Sequence, residues 1–480
     1  MNISRLAKAL SVLLFIQLCF AISGFGQVKM ASIFTDNMVL QREAQVPVWG
    51  WSAAGKNISV QTSWNNQTYK ATADSEGKWK VVVATPKAGG PYELTVTGGE
   101  KLKLKNILIG EVWILGGQSN MEMPMKGFKS QPVLGSNDAI VHSANPKLRL
   151  YTVPRSTKFE VQKDSKTSFW KEAGAESVAN FSATGYFFGK LLQEQLNIPV
   201  GLINVNYGGS NAEAWMSRKD VEAFGGIDLP LAADSAKVNN RTATALYNGM
   251  LAPIIGFGIK GVLFYQGESN YERPDQYETL FPALVKEWRS EWNQGDFSFY
   301  YAQIAPYDYA QLPPYRIGGK FNSAYLRDAQ RKALKKIPNS GMVSLMDIGE
   351  QKNIHPAHKK EGGERFALMA LAKTYGLKGF GYESPEYDTL EISDNTIKLK
   401  FKNANNGFTT FGKDLVNFEI AGADKNFVPA QASINGSSVW VSSPLVKAPV
   451  AVRYAFKDFV VGELFSTEGF PVSSFRTDDF

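Results

Sequence analysis

The sequence predicts an α/β domain, a parallel sheet covered by helices, set between two all-β modules. Three observations carry this expectation. Between Ile107 and about Gly376, short apolar runs alternate with amphipathic stretches, the pattern of strand-helix repeats. On either side, β-branched and aromatic runs are separated by Gly, Asn and Pro turn signals. The 480 residues, 44% hydrophobic, 12% aromatic and 20% charged, supply enough apolar surface to bury several cores and exclude a mainly disordered chain.

Taken in order, residues 1–26 place Arg5 and Lys8 before an apolar run that ends in Ser23-Gly24-Phe25-Gly26, the layout of a cleavable secretory signal. The apolar stretch is too short to span a membrane, so a secreted or periplasmic mature chain is expected. Residues 27–105 read as an N-terminal β-sandwich module, with strands at 46–51, 58–61 and 79–83 separated by turns such as Ser75-Glu76-Gly77. Residues 106–378 form the α/β part, with strands at 112–115, 200–205, 262–265, 297–304 and 342–346 and helices at 183–195, 280–292, 324–336 and 361–375. Residues 379–480 return to short strands, at 396–401, 418–420, 438–441 and 450–454, and form a second β module.

Several function classes drop out at this level. The 52 Lys and Arg against 45 Asp and Glu are scattered, with no basic stripe, so no nucleic-acid partner is expected. Cys19, the one cysteine, lies inside the leader. A mature chain without it has no disulfide, no thiolate metal site and no cysteine nucleophile.

In parallel α/β sheets, ligands bind beyond the carboxyl ends of strands. Three such ends stand out. Gly116-Gly117-Gln118-Ser119-Asn120-Met121 puts a hydroxyl on a glycine turn directly after a strand, as an exposed nucleophile requires, although a helix-capping Ser reads the same way. Asn206-Tyr207-Gly208-Gly209-Ser210-Asn211 brings a glycine pair whose N–H groups suit an oxyanion, or a plain turn. Gln266-Gly267-Glu268-Ser269-Asn270 clusters polar side chains after a buried strand, which is costly unless they are hydrogen-bonded or used. Of the three histidines, His142 reads as surface and His358 as solvated or capping, whereas His355 lies between a strand end and a helix, where it can face the first of these loops.

Together these segments resemble the sialate O-acetylesterase group of the SGNH hydrolase superfamily. The resemblance runs from Asp36-Asn37-Met38-Val39-Leu40-Gln41-Arg42 through Gly110-Glu111-Val112-Trp113 and Gly117-Gln118-Ser119-Asn120-Met121 to Ile354-His355-Pro356 and Glu364-Arg365-Phe366-Ala367. It implies a flavodoxin-like SGNH hydrolase domain flanked by β-sandwich-like modules. It also implies Ser119 as nucleophile, His355 as general base, and an oxyanion hole from the backbone N–H groups of Ser119 and Gly209 plus a side-chain amide. The superfamily's usual Asn, in a Gly-x-Asn-Asp pattern, is replaced here by Gly267-Glu268-Ser269-Asn270, which leaves Gln266 or Asn270 as that amide, Gln266 preferred. The superfamily often sets an Asp three residues before the His; Lys352 stands there, so Glu350, Asp347 or a backbone carbonyl is left to orient the ring.

The function this implies is an exported serine esterase that removes O-acetyl groups from carbohydrate, O-acetylated sialic acid first, with no metal or organic cofactor required. Activity is expected to fall below an ordinary imidazole pKa of about 6.5. Two alternatives stay open: an acetyl esterase acting on another polysaccharide such as xylan, and a non-catalytic sugar-binding protein whose 10 Trp would stack on sugar rings.

Overall fold

The computed structural model describes residues 27–311 and 322–480; the expected leader, residues 1–26, lies outside them. Each predicted α/β element is present within a few residues, and the apolar runs explain why. In β1 (Glu100–Gly117) the residues alternate between the two faces of the sheet. Val112 and Ile114 enter one hydrophobic cluster and Trp113 and Leu115 the other, so the strand is buried on both sides. After a single turn, α1 (Ser119–Glu122), the chain forms β2 (Asn145–Thr152) and β3 (Lys171–Ala173). Then follow α2 (Ala183–Leu196), β4 (Val200–Asn206), β5 (Gly261–Tyr265), α3 (Pro274–Trp292) and β6 (Ser298–Ala302). The series closes with α4 (Ala324–Ala333), β7 (Ser340–Val343) and α5 (Lys359–Lys373).

The strand order is β3-β2-β4-β1-β5-β6-β7. All neighbours are parallel except the short edge strand β3. Helices α3 and α4 pack on the face that holds Val112 and Ile114, and α2 and α5 on the face that holds Trp113 and Leu115. Strand β2 was not anticipated. Its sequence, Asn145-Pro146-Lys147-Leu148-Arg149-Leu150-Tyr151-Thr152, hides an apolar face among Pro, Lys and Arg.

One strand serves two modules. The first half of β1 pairs antiparallel with Gly89–Gly98 and parallel with Val39–Gln41 in the N-terminal β module, and its second half lies between β4 and β5. The expected boundary at 105/106 therefore falls inside a continuous strand. The C-terminal module is two facing four-stranded sheets around Ile397, Leu399, Phe418, Ile420, Val439 and Val452. It is fastened to α4: buried Arg327 donates to the carbonyls of Lys457 and Asp458, and Asp328 pairs with Arg476 at 3.2 Å.

Register sets the site. Gly117 at the end of β1 is level with Asn206 of β4 and with Tyr265 of β5, so three loops leave the sheet at one height. No helix among the described residues is long and apolar enough to cross a membrane.

Candidate active site

Gly117 makes the turn that exposes Ser119. Its φ is +129°, and a Cβ there would stand 2.1 Å from the carbonyl oxygen of Tyr265, so only glycine lets the strand end hug its neighbour. Gln118 N–H then donates to the same carbonyl at 2.9 Å, and the buried Gln118 side chain accepts from Ser269 N–H at 3.2 Å. Ser119 opens α1, so its own N–H is one that a helix start leaves without an intrahelical acceptor.

The second loop lies against this turn. A Cβ on Gly208 would come within 3.4 Å of the Ser119 Cβ. Gly208 donates its N–H to Glu122 Oε2 at 2.8 Å and accepts from Asn240 Nδ2 at 2.6 Å. Gly209, at φ +71°, accepts from Arg241 Nε, and its N–H has no acceptor among the described residues. Beside this loop opens a cleft of about 630 Å³ whose lining includes Asn211, Glu213, Arg241, Ser269 and Arg273.

The third loop ties the scaffold together through its side-chain amides. Gln266 commits its amide N–H groups to Ser210 O at 3.2 Å and Asn270 Oδ1 at 2.7 Å, and its Oε1 accepts from Tyr277. Asn270 accepts from Ala212 N–H and donates to Glu213 Oε2, both at 2.9 Å. Gln266 and Asn270, the two residues expected to supply the oxyanion amide, are both buried and tie the Gly208-Gly209 loop to the end of β5.

His355 arrives from the loop after β7. Asn120, next to Ser119, donates Nδ2 to the carbonyl of Ile354, next to His355, at 3.0 Å, which brings the two loops together. The ring's Nδ1 lies 2.8 Å from Gln131 Oε1, and Phe128 stands edge-on to it with centroids 5.2 Å apart. The expected orienters are corrected as well. Asp347 is held by both terminal nitrogens of Arg365, at 2.8 and 2.6 Å. Glu350 accepts from Ala357 N–H at 2.6 Å and from Asn353 Nδ2 at 3.1 Å, so it shapes the loop backbone instead of touching the ring. Gln131, from a turn that precedes His355 by 224 residues, was not anticipated, and nothing local to either segment marks the pair. His358 and His142 stand apart from the site: the first is paired with Glu361 at 2.8 Å and 45% exposed, the second is 71% exposed beside Asp138.

Burial, reinforced by the Lys359 charge, pushes His355 down to about 4. The expected loss of the base near pH 6.5 is therefore moved to lower pH. No group of three or more His, Cys, Asp or Glu side chains that could hold a metal ion occurs among the described residues. Chemically, the arrangement offers a hydroxyl on a tight turn, a neutral imidazole whose Nδ1–H is held by an amide oxygen, and two backbone N–H groups on loops that touch.

Comparison with known proteins places the chain among carbohydrate esterases. A family model described as "Carbohydrate esterase, sialic acid-specific acetylesterase" matches residues 109–372. The human sialate O-acetylesterase is 28% identical over 402 residues, spanning 76% of this chain and 74% of that one. The mouse sialate O-acetylesterase is 28% identical over 452 residues, spanning 81% and 82%. The crystal structure of a carbohydrate acetylesterase from Xanthomonas citri superposes with a TM-score of 0.85 at 34% identity, covering 95% of this chain and 100% of that one.

With three histidines in the chain, the His355 ring can be followed directly by NMR. Its titration midpoint is expected near 4. Gln131→Glu, which places a carboxylate on Nδ1, is expected to raise it by about one unit or more, because a negative neighbour favours the imidazolium. A native midpoint at or above about 6.5 would contradict the buried, cation-flanked placement.

Proposed function

Because the chain belongs to the family of carbohydrate esterases described as sialic acid-specific acetylesterases, and is thereby a carboxylic ester hydrolase, we propose that it deacetylates carbohydrate, with O-acetylated sialic acid as the favoured substrate. The observation that carries the catalytic assignment is the 3.0 Å bond from Asn120 to Ile354, which joins the residue after Ser119 to the residue before His355.

In this reading Ser119 Oγ attacks the acetyl carbonyl while His355 Nε2 takes the hydroxyl proton. Gln131 Oε1 holds the proton on Nδ1 and so keeps Nε2 as the acceptor. The carbonyl oxygen, now negative, settles on the N–H groups of Ser119 and Gly209. As the tetrahedral species collapses, the imidazolium returns its proton to the departing sugar oxygen, leaving an acetyl-Ser119 and a free sugar hydroxyl. Water then attacks the acetyl group, again giving its proton to His355, and acetate leaves as Ser119 is reprotonated. A neutral amide behind the ring fixes its tautomer but stabilises the imidazolium less than a carboxylate would, so this is a Ser-His pair with an amide orienter.

The strand order β4-β1-β5-β6-β7, with β2 inserted beside β4, supports the flavodoxin-like reading of the esterase part. Residues 1–26 are read as the leader of an exported protein. A second substrate reading has its own support. In the cleft beside Gly209 the carboxylates Glu213, Asp228, Asp234 and Glu272 outnumber the guanidinium groups of Arg241 and Arg273, a lining that suits a neutral sugar better than an anionic one. An acetylated xylan would fit that requirement.

Acetate release from O-acetylated sialic acid and from acetylated xylan separates the two readings, and a protein that only binds sugar would release none. Ser119→Ala is expected to lower kcat by at least ~10³ with the melting temperature unchanged. His355→Ala should be nearly as damaging and the double variant little worse, whereas His142→Ala and His358→Ala should stay within about a few-fold of the native enzyme. More than about a tenth of native activity in Ser119→Ala would remove Ser119 from the mechanism.

A further inference from the structure

Beneath the junction of Ser119 and His355 lies a set of buried polar groups that the reaction as written does not use. Lys359 is the first residue of α5 and only 3% exposed. A buried ammonium costs several kcal/mol unless it is well paired, and at the N-terminus of a helix it also opposes the macrodipole. Helix stability therefore does not explain it. Its Nζ donates to Asn120 Oδ1 at 2.5 Å, and the same Asn120 donates Nδ2 to Glu268 Oε1 at 2.5 Å and to Ile354 O at 3.0 Å. The cation and the buried Glu268 carboxylate meet through one amide, the amide beside the nucleophile.

The groups around His355 can be named from each packed element. Lys359 opens α5 four residues after it in the chain. On its own loop, Glu350 lies close enough to act on Lys359. From the end of β5 come Glu268 and Tyr265, with the Tyr265 ring 5.8 Å from Lys359 Nζ. The turn at 128–131 sets the neutral Phe128 and Gln131 against the ring and carries one cation, the exposed Lys129.

We propose that Lys359 is a positioning residue of the esterase reaction: through Asn120 it locks the nucleophile's turn onto the histidine's loop and sets a buried cation beside that junction. The proposal rests on the assignment of Ser119 and His355 above. Burial is the larger cause that lowers the His355 pKa, and Lys359 is the second. Burial also pushes Lys359 itself down to about 7, against the pull of Glu268 and Glu350, so in the range where His355 titrates the lysine carries its charge. The arrangement trades basicity for availability: His355 accepts a proton less avidly but remains an acceptor at lower pH.

Three substitutions separate the bond from the charge. Lys359→Gln keeps an amide donor and loses the charge, Lys359→Met loses both, and Lys359→Arg keeps both. The measurements are kcat/KM against pH with a soluble acetyl ester and the NMR titration of His355, each on the full chain with its melting temperature checked. In the Gln and Met variants the acid limb and the His355 midpoint are expected to rise by about one unit, stopping short of 6.5 because burial persists, while Arg retains the native value. At pH 8, kcat of the Met variant should fall on the order of 10²-fold with KM changed only a few-fold, because the turn and the loop are no longer tied. A native acid limb in folded Lys359→Gln, or the same shift in Lys359→Arg, would overturn the proposal, and if the Met variant does not fold the Gln variant decides alone. The NMR arm reads His355 without turnover. Full activity in Ser119→Ala would instead overturn the serine assignment, so the two failures are distinguishable.

Discussion

One side-chain amide, that of Asn120, carries the constraint on which the site depends. It accepts from Lys359, donates to Glu268 and to the carbonyl of Ile354, and is itself buried. Four parts of the chain that are distant in sequence, the ends of β1 and β5, the loop after β7 and the start of α5, are thereby referred to one planar group. Apolar packing is non-directional and would leave such loops free to slide by fractions of an ångström. Hydrogen bonds to a fixed amide plane do not, and nucleophilic catalysis is sensitive to displacements of that size. The same bonds give the buried lysine and one oxygen of the buried Glu268 a shared polar partner beside Ser119, while Glu268 Oε2 has none among the described residues.

The amide can act only because the sheet delivers its partners to one level. Gly117, Asn206 and Tyr265 are in register, so the Ser119 turn, the glycine pair and the polar cluster emerge side by side. The network of Gln266 and Asn270 then fixes the glycine loop to the end of β5. Farther out, β1 continues into the N-terminal module, and Arg327 and Asp328 of α4 hold the C-terminal module. Both β modules thus brace strands or helices of the catalytic sheet, a role that requires no contact with substrate.

Much of this was legible in the sequence, for identifiable reasons. Strands buried on both faces read as continuous apolar runs, and β1, β4 and β5 are of this kind. Ser119, the Gly208-Gly209 pair and His355 could be singled out because nucleophiles, close backbone approaches and bases need special positions after strands. What escaped was side-chain direction. Gln266 and Asn270 stand at the expected strand end but point into the scaffold, a matter of rotamer and partner that residue type alone cannot decide. Asp347 was a reasonable orienter until Arg365, itself within a recognisable motif, proved to hold it. Gln131 could not have been found, because its partnership with His355 is created by tertiary contact alone. Lys359 is hidden differently: beside Lys360 in a polar helix start it looks like any surface lysine, and only burial sets it apart.

The central claim, that the Asn120 amide holds Ser119 in reacting position beside His355, is tested most directly by the reactivity of Ser119 itself. The measurement is the second-order rate constant for modification by a small fluorophosphonate, with the modified residue identified by mass mapping, in the native chain and in Asn120→Ala. The account predicts a single adduct on Ser119 in the native protein and a rate lower on the order of 10²-fold in the folded variant. Modification of a different serine, or an equal rate in the two proteins, would contradict it.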